Sequence, residues 1–412
     1  MLLLQPASVK TPPARRRGDR CRIGLAIAGG GPIGAMYELG ALRALDDAIE
    51  GLDLNALDVY VGVSSGSFLA AALANGMGTA QMFRIFITGS DVELEFRPEQ
   101  FLRPAVMEYA RRATGLPLSL ARLWRDWARR PGSASFSDLL DHMASLVPTG
   151  VFDNAGIESF LRQAFTTQGR SNDFRELERK LFVVAVDINS GEAIRFGAPG
   201  WDDVPISKAI QASSALPGLY PPVEVRGRQL VDGALRRTMH ASVALDEGID
   251  LLLGINPLVP FDASRSTSAR HPQRLTSGGL PVVLSQTFRT LLQSRMEVGL
   301  AKYTQTYPGV DQLVFEPNPE DGEMFFTSIF GYRSRARVCD YAYRSTLGDL
   351  RQRAAALAPL LAHRGLGLRR AVIDDPERSI FDGLPNPVGG TRTTLQLRDA
   401  LDRVRRRMGA AG

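Results

Sequence analysis

Residues 59–73 read VYVGVSSGSFLAAAL, an apolar run of strand type followed by small and apolar residues of helix type. Between the two runs lies Gly62-Val63-Ser64-Ser65-Gly66, the pattern G-x-S-x-G. A serine at the tip of a strand-to-helix turn is held in a strained conformation, and flanking glycines let neighbouring backbone pass without Cβ clashes. Ser64 Oγ would then stand at the positive N-terminal end of a helix, where an alkoxide or oxyanion is stabilised. The pattern predicts a nucleophilic Ser64 in an elbow formed by Gly62 and Gly66.

Upstream, Arg22-Ile23-Gly24-Leu25-Ala26-Ile27-Ala28 reads as a buried strand running into Gly29-Gly30-Gly31-Pro32-Ile33-Gly34. A helix is expected from about Ala35 to Ile49, with Met36, Leu39, Leu42 and Leu45 at helical spacing. Gly29, Gly31 and Gly34 satisfy G-x-G-x-x-G, the dinucleotide fingerprint. The same loop can serve as an oxyanion hole, its backbone N–H groups turned on developing negative charge at a helix N-terminus. In a dinucleotide fold the next strand should end in an acid for the ribose. Here it ends in Ser64, which favours the oxyanion hole.

Far downstream, Val223-Glu224-Val225 and Gln229-Leu230-Val231 form a short strand pair around Gly227 and deliver Asp232-Gly233-Ala234. Asp232 is either a plain turn residue or a general base on Ser64, fixed by a tight Gly turn. Lys180 to Asp187 reads as another buried strand, with Asn189-Ser190-Gly191-Glu192 as a hairpin turn; Asp187 is either catalytic or, the favoured reading, the cap of that turn. His240, eight residues past Asp232, is the nearby candidate for a serine triad.

The remaining chain sets bounds. The net charge of +5 is carried mostly by arginine and does not by itself point to nucleic acid. Two cysteines, Cys21 and Cys339, make no disulfide framework, and four histidines show no metal-ligand spacing, so no metal and no cofactor are expected. No apolar run approaches the ~20 residues of a spanning helix, and Met1-Leu2-Leu3-Leu4 is too short for a signal segment, so a cytoplasmic protein is the default expectation. Residues 1–20, with Arg15-Arg16-Arg17, are expected to be a flexible basic tail. Residues 77–150 read as a helical lid in which Trp124 and Trp127 stand among Arg122, Arg125, Arg129 and Arg130. Such a stretch, 103–130 in particular, suits peripheral contact with a membrane or a lipid granule. Two helices are expected at Val282–Tyr307 and Tyr332–Leu361, and residues 351–412 as a helical basic extension ending near Met408. Oligomeric state is not legible.

Taken in order, strand, Gly29-Gly30-Gly31-x-x-Gly34, helix, Gly62-x-Ser64-x-Gly66 and distant Asp232-Gly233-Ala234 resemble the patatin-like phospholipases. The runs Ala212-Ser213-Ser214-Ala215-Leu216-Pro217-Gly218-Leu219-Tyr220-Pro221-Pro222 and Ala185-Val186-Asp187-Ile188-Asn189-Ser190-Gly191-Glu192 are similar to that family too. The resemblance covers roughly Arg22 to Pro257.

It implies a three-layer α/β fold with a mostly parallel central sheet, a helical insertion and a helical C-terminal extension, the acyl hydrolase domain spanning 21–350. It also implies a lipid acyl hydrolase using a Ser64–Asp232 dyad, with Gly29, Gly30 and Gly31 as oxyanion hole. The family's loop usually carries Arg or Lys before its last glycine; here that position is Ile33, preceded by Pro32. Rival readings are a storage-polyester hydrolase and a lipid-surface protein whose site has decayed. The retained Ser64, Asp232 and loop glycines argue against decay.

Overall fold

The apolar runs ending at Ile27, Val63, Asp187 and Ile255 lie together at the centre of the computed structural model. It describes residues 1–8, 21–91, 94, 96, 97, 99, 103–105, 149–167, 169–266, 275–326 and 334–382. The tail arginines at 15–17, about two-thirds of the 77–150 lid, the 103–130 segment past Ala105, and the basic helix expected near 395–408 lie outside the described residues, while the described start of the lid is core, with Met77, Met82, Phe83, Ile85, Phe86 and Ile87 buried.

Nine described strands build one sheet: β1 (Leu2–Gln5), β2 (Ile23–Ile27), β3 (Val59–Val63), β4 (Lys180–Asp187), β5 (Ala193–Phe196), β6 (Val223–Val225), β7 (Arg228–Asp232), β8 (Leu251–Ile255) and β9 (Asp311–Phe315). Their order is β1-β9-β8-β2-β3-β4-β7-β6, with β5 also on β4. The five central strands β9, β8, β2, β3 and β4 run parallel, and the outer pairings are antiparallel. Strands β2, β3 and β8 are buried at every residue, as expected for a sheet covered on both faces.

Side chains alternate between two cores. Leu25, Ile27 and Tyr60 face the larger one, with α1 (Gly31–Ala48), α2 (Ser65–Ala74), α3 (Ala155–Phe165) and α4 (Ile206–Ser213). Ala26, Val59, Val61 and Val63 face the other, which is closed by residues 239–245 and by α5 (Gly279–Thr306). The fold is therefore three-layered α/β.

One feature of register places the site. Along a single edge of β4, the parallel strand β3 pairs with residues 180–184 and ends at Val63 opposite Val184. The antiparallel strand β7 takes up the same edge and ends with Asp232 opposite Ala185, while β5 occupies the other edge. Two strands thus run head-on, and the residues at their meeting ends are Ser64 and Asp232.

Three expectations are corrected. Residues 2–5 are not tail but an edge strand, because Leu2 to Gln5 pair with Phe315 to Gln312 of β9, a strand not expected from sequence. α1 begins at Gly31 rather than Ala35, since Pro32 suits the first helical turn. No boundary falls at 350, because α6 (Arg335–Gln352) runs through it and Leu350, Leu357, Leu361 and Ile380 share the main core. α6 lies tightly on α1 at Gly40, where a Cβ would stand 2.2 Å from Cys339 O.

Candidate active site

Ser64 has φ 50° and ψ −122°, a strained conformation for a non-glycine residue. The strain is locked by close backbone. A Cβ on Gly62 would lie 2.2 Å from Ser67 Cα, and one on Gly66 would lie 2.4 Å from Ala28 O. The Ser64 N–H donates to Ser213 Oγ at 2.8 Å, and Ser213 Oγ donates onward to Val184 O at 2.6 Å. Ser64 O accepts from the N–H and the hydroxyl of Ser67. Its own hydroxyl does not cap α2, so the Oγ is left for other partners. Ser213, in the run that resembles the family, is a positioning residue that the sequence reading did not single out.

The Asp232 carboxylate accepts from the Ala234 N–H at 2.9 Å, and the Ser64 side chain stands next to it. Burial raises its pKa to about 6, against the lowering influence of Ser64 and the Ala234 amide. Gly233 is required beside it, since a Cβ there would lie 2.2 Å from Val184 O. Asp187, by contrast, caps its hairpin: Oδ1 accepts from Asn189 N–H and Oδ2 from Ser190 Oγ, both at 3.1 Å.

His240 does not reach Ser64. Its Nε2 lies 3.2 Å from Gly233 O, and burial lowers its pKa to about 3, which keeps the ring neutral. It braces the turn that carries Asp232.

The glycine loop lies against the nucleophile, because a Cβ on Gly29 would stand 2.9 Å from Ser64 Cβ. Its three amides differ. The Gly29 N–H donates to Thr238 O at 3.2 Å, and the Gly30 N–H donates to Ser65 Oγ at 2.9 Å. Gly31, at φ +62°, has no acceptor for its N–H among the described residues. Of the three amides expected to form the oxyanion hole, that of Gly31 is the one without an acceptor among the described residues.

Behind the loop stands a residue the sequence reading missed. Ser65 Oγ donates to Glu38 Oε1 at 3.1 Å. Glu38 is fully buried in α1, Oε2 has no partner among the described residues, and burial holds its carboxyl well above the usual range. A neutral acid at this place is physically reasonable, since an unpaired buried carboxylate would cost far more. Ile33, where the family's loop usually carries a basic residue, is buried in the main core. Among the described residues, no group of three His, Cys, Asp or Glu side chains converges to hold a metal.

Residues 25–245, over half of the chain, match the family model for patatin-like phospholipase. The chain belongs to this family. This patatin-like chain matches VipD from Legionella pneumophila at 18% identity, with 59% of this chain and 51% of that chain covered and a TM-score of 0.31. Full-length ExoU of the Pseudomonas aeruginosa type III secretion system, in complex with SpcU, matches at 16% identity over 71% of this chain and 54% of that chain, with a TM-score of 0.26. Human GIVD cytosolic phospholipase A2 matches at 14% identity over 87% and 61%, with a TM-score of 0.31. The patatin-like chain thus spans between 51% and 61% of the length of these structures.

Proposed function

We propose that the protein is a serine lipid acyl hydrolase that cleaves carboxylic esters of phospholipids or related lipids through an acyl-enzyme. The observation that carries this reading is the head-on meeting of β3 and β7. It brings a strained, buried Ser64 to a carboxylate whose pKa is raised to about 6, close to the ideal for a base at neutral pH.

Asp232 accepts the Ser64 proton as Oγ attacks the ester carbonyl. The Gly31 N–H, at the N-terminus of α1, donates to the tetrahedral oxyanion, while the Gly30 N–H stays on Ser65 Oγ and holds the loop in place. Collapse expels the alcohol, which takes the proton from Asp232. Water, deprotonated by Asp232, then attacks the acyl-enzyme; as the second tetrahedral intermediate collapses, Asp232 returns the proton to Ser64 Oγ and the fatty acid is released.

An apolar acyl group is also supported by the neighbourhood of α2. Phe68, one turn past the nucleophile, stacks on Phe160 at 6.1 Å and meets Phe86 edge-on at 4.9 Å, with Phe96 closing the group. A lipid surface would be met through 103–130, where tryptophan and arginine interleave in the sequence. No described helix is long and apolar enough to cross a membrane.

The test is hydrolysis of phosphatidylcholine and phosphatidylglycerol vesicles and of a soluble ester by the parent protein and Ser64→Ala. Fatty-acid release by the parent alone supports the reading; release from neither lipid nor ester, or equal release by the variant, overturns it.

A further inference from the structure

α5 is 28 residues long and apolar on two sides. Leu292, Met296 and Leu300, four apart, are buried against the body. On the far side Leu280, Leu284, Leu291 and Val298 are exposed by 58–69%. At 3.6 residues per turn these four fall within about 40° of one another.

Their spacing is that of a heptad. Leu284, Leu291 and Val298 recur at intervals of seven, and Leu280, Thr287, Ser294 and Ala301 fill the companion positions; all seven side chains are exposed. Scattered surface leucines need no explanation, whereas three apolar a residues in line, with Leu280 leading the d positions and small side chains at the rest, make a stripe along which another helix can pack. The polar members fit burial: the Thr287 hydroxyl is already donated to Val283 O at 2.9 Å.

Charge identifies the partner. Flanking the seam, the e positions hold Phe288, Arg295 and Lys302, and the g positions hold Val283, Thr290 and Glu297. In a parallel pair, a g residue faces the e residue five places on in the other helix. Glu297 then faces Lys302 of a second copy, twice over by symmetry. An antiparallel pair would set the basic e positions against each other. We infer that α5 is a dimerisation helix, through which two copies of this chain pair as a parallel two-stranded coiled coil along residues 280–301.

The pairing would also steady the site. Arg295 Nη1 donates to Leu235 O at 3.1 Å, three residues past Asp232, and Thr238 Oγ1 donates to Leu292 O.

Sedimentation equilibrium of the full chain at micromolar concentration tests this. The parent is expected to be a dimer, and Leu284→Glu with Leu291→Glu a monomer with unchanged circular dichroism, since both positions are exposed. Glu297→Lys and Lys302→Glu should each weaken the dimer by roughly three- to tenfold through like-charge contacts, and the double exchange should restore it. A monomeric parent, whether or not it binds anionic vesicles, overturns the inference. So does a dimer that survives the two glutamates, or one whose affinity neither single exchange changes.

Discussion

The amide N–H of Gly30 donates to the hydroxyl oxygen of Ser65 at 2.9 Å. One link further on, the same hydroxyl reaches buried Glu38 at 3.1 Å. The loop expected to receive the oxyanion is thus held from behind by a side chain adjacent to the nucleophile. Glycine loops have little stiffness of their own, and a catalytic donor misplaced by an ångström loses much of its effect. The Glu38–Ser65–Gly30 chain supplies the missing stiffness.

Glu38→Gln should therefore keep most of the activity and stability, because a neutral amide reproduces a neutral acid at Ser65. Glu38→Ala and Ser65→Ala should lower kcat by tenfold or more with little change in KM, and cost about 1–3 kcal/mol of stability. Steady-state kinetics and thermal melts of the three variants check this. A Glu38→Gln protein as impaired as Glu38→Ala would show that the charged form is what the loop needs.

Asp232 carries an opposite trade. Its folded pKa, about 6, lies above the unfolded value near 3.8, so the fold favours the protonated form. Stability from this group is present below pH ~4 and is lost as pH rises towards 6, whereas the base is competent only above that range. Activity should rise with pH through about 6. Asp232→Asn should be inactive at every pH yet more stable than the parent at pH 8, by up to about 3 kcal/mol at 1.4 kcal/mol per pKa unit. Melting curves should converge as pH falls towards 4; a variant less stable than the parent at pH 8 would contradict the account.

Two glycines should respond differently to alanine. At Gly66 the new methyl meets Ala28 O at 2.4 Å and Ile27 O at 2.5 Å, both backbone, and nothing there can yield cheaply. Gly66→Ala is expected to cost about 2 kcal/mol or more and to abolish activity. Gly31 has open space within 4 Å, so Gly31→Ala meets only the strain of φ +62°, about 1–2 kcal/mol. Denaturant unfolding of the pair measures the difference.

The elbow was legible because it is local: Gly62 and Gly66 are demanded by contacts within a few residues or with the neighbouring strand. The strands at 180–187 and 223–232 and the helices at 279–306 and 335–362 were legible for the same reason, each being a local run bounded by turn or loop residues. β1 and β9 were not. Leu2–Gln5 becomes a strand only by pairing with residues 312–315, some 310 positions away, and β9 itself is five residues long with buried Asp311 and Gln312 at its start.

Glu38 was passed over as one acid between Tyr37 and Leu39, yet it lies four residues from both Gly34 and Leu42 on the buried stripe of α1. That position was the available signal. No sequence pattern could assign the loop amides, because their acceptors, Thr238 O and Ser65 Oγ, come from other elements. The order of β3 and β7 along one edge of β4 is equally a property of the assembled sheet.

The most direct test of the central claim is fluorophosphonate labelling of the parent protein and Ser64→Ala, with the adduct located by peptide mass spectrometry. One adduct on Ser64, absent from the variant and forming faster as pH rises through about 6, is the predicted result. Labelling at another serine, or no labelling of a folded parent, would contradict an activated nucleophile at this elbow.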